Sequence, residues 1–311
     1  MLRCYQIKTH IYYFTGTGNS YVVARDVAKK LNGKLTSIVA LKKIHNIEIE
    51  ADVVGIVFPV YYADFGGVPL IVQRFVKKLK NLTPKYIFAI CNHAGGPGKT
   101  IKKFKYLIST QGGKLSAGFT VKMSVPYSPG LKIKSSFFHK KIDSKEAIMK
   151  DTDKQQELYE KWNKKLEQII IYISDLKEGI FETSKLSPLI SLSKAIFRLH
   201  YKKLAEVSEV SKEKTEDKIH YSFEQLIHLA DKSFKVNDKC NSCGICAQIC
   251  PVDNIEIVNG KPLWQHHCET CYACYVWCPN NAIYGEIVAY NKKYHHPEVK
   301  ISDLIRSKSE I

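Results

Sequence analysis

The chain has 311 residues and a mass of 35.5 kDa, with 45% hydrophobic and 25% charged residues. This is the composition of a globular protein with room for two domains. The 47 basic and 30 acidic side chains give a formal charge of +17, which raises nucleic acid or an anionic membrane as partners. No apolar run of about 18 residues is present, and residues 1–10 lack the apolar core of a signal peptide. We therefore expect a cytoplasmic protein with no integral membrane segment.

The first structural signal is a strand, a small polar loop and a helix in succession. Residues 11–14 form a short apolar run typical of a buried strand. After the loop, Val23, Val27 and Leu31 recur at helical spacing. A loop between a strand and a helix start directs backbone amides and the helix dipole at an anion, and its hydroxyls donate to the anion's oxygens. A plain turn with a capping residue is the alternative. The candidate phosphate-binding residues are Thr15, Gly16, Thr17, Gly18, Asn19 and Ser20.

Two more strand-to-loop junctions follow. Residues 53–58 read as a buried parallel strand, and Pro69 suits the first turn of a following helix. Residues 85–91 read as the next strand. The sequence from Gly95 to Thr100 ends like a Walker A loop, but His93 stands where that motif requires glycine, so we interpret it as a loop whose amides face a cofactor. The candidate residues of these two loops are Pro59, Val60, Tyr61, Tyr62, Asn92, His93, Ala94, Gly95, Gly96 and Gly98.

The middle of the chain carries fewer signals. We expect a fifth strand at about 115–125, then a basic, loosely structured insertion over 131–150. A helical stripe over residues 158–173 is expected to close the sheet. A shorter stripe over 189–199 predicts a connector helix, with a membrane-surface helix as the alternative. A further amphipathic helix is predicted over 219–234.

Eight of the ten cysteines fall into two identical arrays near the end of the chain. Each array reads C-x2-C-x2-C-x3-C-P, and Cys268 follows Cys240 by 28 positions. Three cysteines at this spacing can surround three corners of a cubane cluster. In two-cluster ferredoxins the fourth cysteine ligates the other cluster. The predicted sets are Cys240, Cys243, Cys246 and Cys278 for one [4Fe-4S] cluster, and Cys268, Cys271, Cys274 and Cys250 for the other.

Structural zinc and disulfides are the competing interpretations of the cysteines. Zinc sites usually pair two separate CxxC units across a longer gap. Disulfides require an exported chain, and no export signal is visible.

The residues Thr15, Thr17, Gly18, Ser20 and Ala24 resemble the phosphate loop of flavodoxins. Residues 13–20 are similar to the version in flavodoxin-ferredoxin fusion proteins of anaerobic bacteria and archaea, the EFR-family ferredoxins, and the order of parts agrees. The resemblance implies an α/β, flavodoxin-like doubly wound parallel sheet of order 2-1-3-4-5, an FMN site at its carboxyl edge, and a C-terminal α+β two-cluster ferredoxin domain. By resemblance, Tyr61 or Tyr62 would stack on the isoalloxazine ring. The expected parts are a flavodoxin-like domain (1–178), a helical connector (179–235), a ferredoxin domain (236–290) and a polar tail (291–311).

The resulting hypothesis is an electron-transfer flavo-iron-sulfur protein with FMN and two [4Fe-4S] clusters as cofactors. The three cofactors remove about six charges and leave about +11, so an acidic redox protein is the expected partner and nucleic acid is not. The alternative is a ferredoxin-linked reductase that transfers a hydride from FMN to a small molecule. No catalytic acid or base accompanies the flavin loops, which favours the carrier. The sequence leaves a homodimer open.

Overall fold

A computed structural model of the chain describes residues 7–124, 144–183, 202, 204–206, 221–288 and 293–306. Three expectations fall on other residues: most of the insertion at 131–150, the stripe at 189–199, and the start of the helix predicted over 219–234. Cys4 also lies outside the described residues.

A five-stranded parallel sheet forms the N-terminal half. Its strand order is β2-β1-β4-β6-β7, which is the predicted order 2-1-3-4-5 counted over the sheet's own strands. Every neighbouring pair is parallel. The apolar runs of β4 and β6 are buried along nearly their whole length, as expected for strands covered on both faces. The sheet strands are β1 (Thr9–Tyr13), β2 (Lys34–Ser37), β4 (Val53–Pro59), β6 (Tyr86–His93) and β7 (Leu115–Lys122), and the short parallel pair beside them is β3 (Ile47–Glu48) and β5 (Leu79–Lys80).

Helices cover both faces of this sheet. α1 (Asn19–Lys30) and α4 (Ser144–Ser174) pack on one face. α2 (Leu70–Lys78) and α3 (Thr100–Ser109) lie on the other. Pro69 is the N-cap residue of α2, and a proline fits there because the first turn needs no N–H from it. The fold is therefore an α/β, flavodoxin-like doubly wound sheet.

Helix α4 corrects one expectation and extends another. The predicted stripe is buried at Leu158, Trp162, Leu166, Ile169 and Ile173. The helix begins at Ser144, so the second part of the predicted loose insertion is helical. After α4, Gly118 of β7 donates its N–H to Ile180 and accepts from the N–H of Glu182. The chain beyond residue 178 thus continues the sheet edge.

The C-terminal half is a small α+β unit. It holds two antiparallel strand pairs, β11 with β8 and β10 with β9. The helix predicted over 219–234 is shorter: it begins after Ser222 in a capping box with Gln225 and ends at Leu229, while Phe234 starts a strand. The elements are α5 (Phe223–Leu229), β8 (Phe234–Val236), α6 (Ile245–Ile249), β9 (Ile255–Val258), β10 (Lys261–Trp264), α7 (Ala273–Val276) and β11 (Ile283–Gly285).

Residues 293–306 return to the N-terminal half. His296 and Val299 are buried, and the segment ends in α8 (Ile301–Arg306). This part of the expected polar tail is therefore packed.

One apolar cluster runs through both halves of the molecule. It joins side chains of α2 and α3 to Trp264, Tyr275 and Trp277 of the C-terminal unit. No helix within the described residues has the length and apolarity needed to cross a membrane.

Candidate functional site

The loop between β1 and α1 has the local geometry of an anion site. Gly18 precedes the helix with a φ of 94°, a conformation that glycine adopts without strain. The hydroxyl of Thr15 accepts a hydrogen bond from the Gly18 N–H at 2.9 Å. Ser20 donates to Oδ1 of Asn92 at 3.1 Å and so ties the loop to the end of β6. The six residues predicted at this loop are therefore held together in one turn.

The loop leaves buried donors without partners. Gly16, Asn19 and Ser20 are buried, yet their backbone N–H groups and that of Thr17 have no acceptor among the described residues. Buried N–H groups are almost always paired, and N–H groups at a helix start favour a phosphate. The side-chain Nδ2 of Asn92 is also buried without a partner within the described residues. This donor set fits the phosphate of FMN.

The other two predicted loops lie beside the phosphate loop. Pro59 and Asn92 are register partners at the ends of β4 and β6, and Val60 donates its N–H to the Asn92 carbonyl at 2.7 Å. The loop after β6 then reaches the surface, with Ala94 and Gly95 exposed and Gly96 and Gly98 partly buried. All three predicted loops therefore occur at the carboxyl edge of the sheet, where doubly wound folds bind their ligands.

His93 is poorly suited to serve as a cation. Burial lowers the pKa of its imidazole, and the ammonium groups of Lys122 and Lys165 lower it further, against a smaller opposite effect of Glu182. Its Nδ1 is buried with no hydrogen-bond partner in the described part of the chain. Because its pKa is lowered, this imidazole is better suited to support a reduced flavin by hydrogen bonding than by charge.

The two candidate stacking residues, Tyr61 and Tyr62, face the C-terminal unit. The Tyr62 hydroxyl hydrogen-bonds with the side chains of Thr270 and Tyr272. Burial, with Cys271 next in effect, raises the pKa of Tyr61 well above its ordinary value. Stacking of either tyrosine on a flavin remains a prediction, while their phenol groups contact the cysteine loop.

The first cysteine set surrounds a cavity near the surface. Cys243 is exposed and the other three members are partly buried. The cavity has no charged side chain among its lining residues, and residues of the β9–β10 hairpin close one side. The cysteines that line it are Cys240, Cys243, Cys246 and Cys278.

The second cysteine set surrounds a deeper cavity. Three of its four members are buried, and Phe234 and Trp264 pack beside them. Burial raises the pKa of the Cys271 thiol to about 12 and raises those of Cys268 and Cys274 well above their ordinary value. A cationic metal centre is what would hold such buried groups as thiolates. The cysteines that line this cavity are Cys250, Cys268, Cys271 and Cys274.

These two groupings are the crossed sets that the spacing predicted. In the described part of the chain no three His, Cys, Asp or Glu side chains converge as they would around one metal ion. Four thiols around each cavity fit a [4Fe-4S] cluster.

The 28-residue repeat is visible in the backbone. Asn254 donates its N–H to Cys250 Sγ at 3.2 Å, and the equivalent Ala282 donates to Cys278 Sγ at 3.3 Å. Gly244 and its equivalent Tyr272 both have positive φ, at 70° and 60°. Backbone N–H donors to sulfur are one of the means by which a protein sets cluster potentials.

The inner cysteine loop lies directly on the phosphate loop. A Cβ placed on Gly16 would stand 2.4 Å from the Cys271 carbonyl. Trp277 donates its indole N–H to the Gly16 carbonyl at 2.9 Å. The inner cysteine loop therefore contacts the phosphate loop, and the outer cysteines lie nearer the surface than the inner ones.

Glu269 lies between two cysteines of the inner set and caps the N-terminus of α2 in the other half of the molecule. Its carboxylate is buried, accepts from the N–H of Ile71 at 2.8 Å and pairs with Arg74. Pro69 offers no side-chain cap to α2. Glu269 therefore supplies that cap from the C-terminal unit.

The returning C-terminal segment also contacts the phosphate loop. His296 donates its N–H to the Thr17 carbonyl at 2.9 Å, and the Tyr294 hydroxyl donates to Asn19 Oδ1 at 2.9 Å. Residues of this segment are functional candidates that the sequence analysis missed, because nothing in a polar tail indicates a contact some 280 residues away in sequence.

Comparison with known proteins identifies the iron-sulfur part. Residues 234–256 match the family model described as a 4Fe-4S binding domain. The chain therefore combines a flavodoxin-like domain with a ferredoxin-type 4Fe-4S binding domain. No curated protein matches the chain.

Solved structures similar to this chain include three flavodoxins. The flavodoxin of Streptococcus pneumoniae TIGR4 is 19% identical over 38% of this chain and 86% of its own, with a TM-score of 0.31. A short-chain flavodoxin associated with a non-canonical PDU bacterial microcompartment is 23% identical over 39% and 86%, with a TM-score of 0.31. The two-electron reduced Megasphaera elsdenii flavodoxin is 18% identical over 37% and 85%, with a TM-score of 0.29. We base the fold on the strand order rather than on these similarities.

Proposed function

We propose that this protein is an electron carrier that holds FMN at the loop of residues 15–20 and one [4Fe-4S] cluster in each cysteine-lined cavity. When bound, FMN exchanges one or two electrons and each cluster exchanges one. The chain's own part is to hold these groups in sequence and to keep water from the inner ones.

One observation carries the proposal. Cys243 of the outer set is exposed, whereas the inner set is buried against the phosphate loop through Cys271 and Gly16. A protein that joins an external one-electron partner to a flavin needs this order of positions. The four N–H groups at the loop would hold the phosphate, and the eight cysteines would hold the irons.

The first experiment is anaerobic purification followed by flavin, iron and sulfide analysis. We expect one FMN with about eight irons and eight sulfides per chain, the content of two ferredoxin-type clusters. Zinc in place of iron, or iron without flavin, would contradict the proposal.

A kinetic experiment then tests whether electrons enter at the outer cysteine set and pass from there to the flavin. A one-electron reductant is mixed with wild type and with the Cys243→Ser variant, and flavin absorbance is followed. We expect slower flavin reduction in the variant, with the FMN content unchanged. Equal rates would mean that the outer set is not the entry point.

The proposed partner is an acidic redox protein. Exposed Lys239 and Lys261 flank the outer cavity, and the chain as a whole is basic. Opposite charge accelerates docking and makes it sensitive to salt. The rate of reduction by an acidic ferredoxin should therefore fall as ionic strength rises, and a rate independent of salt would argue against such a partner.

The reductase remains the second candidate. The lowered pKa of His93 makes this residue a poor cationic proton donor for such a reaction. Turnover with small oxidants, in the absence of any partner protein, would favour it over the carrier.

A further inference from the structure

A cavity of about 360 Å³ lies between the two halves of the molecule, next to the inner cysteine cavity and separate from the phosphate loop and the outer cysteine cavity. Its volume is within the range of small-molecule sites. One wall comes from α2 and from the residues after β2, and the opposite wall comes from the segment after Cys250. The apolar side chains of these walls are those of Ile38, Leu41, Ile71, Phe75, Pro251 and Val252.

The charges around this interdomain cavity do not balance. Two of its carboxylates are matched by two cations, because Asp253 pairs with Lys42 and Glu269 pairs with Arg74. Two further cations, Lys43 and Lys78, also line the cavity. Neither has a carboxylate partner among the described residues, which leaves an excess of two positive charges.

Of these two cations, Lys78 is the better placed to bind an anion in the cavity. Its ammonium group is partly buried and donates to the Lys42 carbonyl at 2.7 Å, a neutral acceptor. Burial lowers its pKa, and Arg74 lowers it further. An anion in the cavity would offset both effects and raise the pKa of Lys78, since it would supply the counter-charge that the described walls lack.

The geometry points to a binding site for a small molecule that carries a doubly charged anionic head on an apolar body. Ile71 and Phe75 would contact the body, and Lys43 and Lys78 would bind the head. An inorganic anion should bind less tightly than such a molecule because it makes no contact with the apolar walls. A neutral compound should also bind less tightly because it does not pair with the two lysines.

This site is independent of the proposed electron transfer. It shares no residue with the loop of residues 15–20, and the outer cysteine cavity lies elsewhere. It does share Pro251, Val252 and Glu269 with the inner cysteine cavity. A ligand here would contact both halves of the molecule and favour their docked arrangement.

The test uses the protein as purified, with its cofactors bound and free FMN removed, because FMN carries a doubly charged phosphate on an apolar ring system and would compete for the cavity. Phenyl phosphate is the probe. Inorganic phosphate and phenol, which represent its anionic head and its apolar body, are the comparison compounds. In isothermal titration calorimetry, we expect phenyl phosphate to bind with an affinity at least tenfold above that of inorganic phosphate or phenol. Equal binding of inorganic phosphate, or no binding of phenyl phosphate, would overturn the proposal.

Two variants locate the binding. Lys78→Met and Lys43→Met should each weaken phenyl phosphate binding by about tenfold, the effect of removing one charged hydrogen-bond donor. Lys77→Met is the matched control, because Lys77 is exposed on the same helix and does not line the cavity. Lys43 is exposed, so its variant tests the site even if Lys78→Met fails to fold. Unchanged binding in Lys43→Met, or an equal loss in Lys77→Met, would place the ligand elsewhere.

Discussion

The indole N–H of Trp277 donates to the carbonyl of Gly16 at 2.9 Å. Trp277 immediately precedes Cys278, a member of the outer cysteine set, and its ring stacks on His295 with centroids 4.3 Å apart. One side chain thus connects the outer cysteines, the returning C-terminal segment and the phosphate loop. The hydrogen bond fixes the carbonyl of Gly16 on the cysteine side of the loop.

Replacing this side chain should loosen the phosphate loop. In Trp277→Phe the buried Gly16 carbonyl loses its donor, at a cost of about 1–3 kcal/mol. We expect weaker FMN binding, measured by fluorescence titration of flavin-depleted protein that retains its iron. Trp162→Phe is the control, since Trp162 is a buried tryptophan that donates to Asp26 on the other face of the sheet. A similar loss in both variants would mean that the effect is general destabilisation.

A second tryptophan should set the potential of the inner site. The Trp264 N–H is buried without a hydrogen-bond partner among the described residues. It lies close enough to the Cys274 side chain to lower the pKa of that thiol, against the larger opposite effect of burial. Removing an N–H donor from a cluster sulfur disfavours the reduced state.

The measurement is redox titration of Trp264→Phe. A bond of about 1 kcal/mol corresponds to about 40 mV for one electron, and we expect one of the two cluster potentials to become more negative by that order. The potential of the outer cluster should stay constant. A shift of the outer potential alone would show that Trp264 does not act on the inner set.

The cap that Glu269 provides predicts a coupling between the two halves. Glu269→Ala leaves the Ile71 N–H without its acceptor and Arg74 without its partner. We expect a loss of about 2 kcal/mol in the free energy of unfolding. Arg74→Met should cost less than about 1 kcal/mol because that side chain is 47% exposed.

Anaerobic denaturant titration measures these differences. Glu256→Ala is the control, since Glu256 is exposed in the same unit and its carboxylate has Gln265 as its one side-chain hydrogen-bond partner within the described residues; its change should lie within about 0.5 kcal/mol. If Glu269→Ala were as mild as Glu256→Ala, the cap would contribute nothing to stability.

His10 predicts a pH dependence of stability. Burial, and to a smaller extent Lys34, lowers its pKa from 6.5 to about 4. Between these two values the unfolded chain binds a proton that the native imidazole does not. Stability should therefore fall as the pH drops from about 6.5 to about 4, and His10 should have no effect above that range.

The variant His10→Gln should remove this part of the slope. Allowing for screening by solvent at a partly exposed group, the expected difference between pH 7 and pH 4.5 is about 1 kcal/mol. His45→Gln, at an exposed position, serves as the control. Parallel slopes for wild type and His10→Gln would exclude the effect.

The sequence predicted what depends on local pattern. The strand order and the grouping of the cysteines both follow from short motifs: buried apolar runs give the parallel strands, and the cysteine spacing predicts which four thiols share a cavity. The β1–α1 loop likewise lies where its glycines and hydroxyls indicated. In each case the residues that determine the outcome are neighbours in the chain or in its repeat.

The sequence could not predict contacts between distant residues. Glu269 reads as one acidic residue between cysteines, and only the packing of the two halves shows it as a helix cap. The sequence did not indicate that the hydroxyl of Tyr62, one of the two candidate stacking residues, contacts Thr270 and Tyr272 of the cysteine loop. The helix predicted to reach residue 234 ends at Leu229, since Phe234 pairs in a strand with Gly285.

Gly244 and Tyr272 occupy equivalent places in the two arrays, and both adopt the left-handed conformation. Glycine adopts it freely, whereas a tyrosine does so at a cost of about 1 kcal/mol. In the second copy, the side chain of Tyr272 hydrogen-bonds with Tyr62 of the other half. At this one position the two copies therefore differ in role: the first has a glycine, and the second has a tyrosine whose side chain connects the two halves of the molecule. Exchanging the two cysteine arrays would keep every cysteine in place but would remove the contact between Tyr272 and Tyr62 that connects the two halves of the molecule.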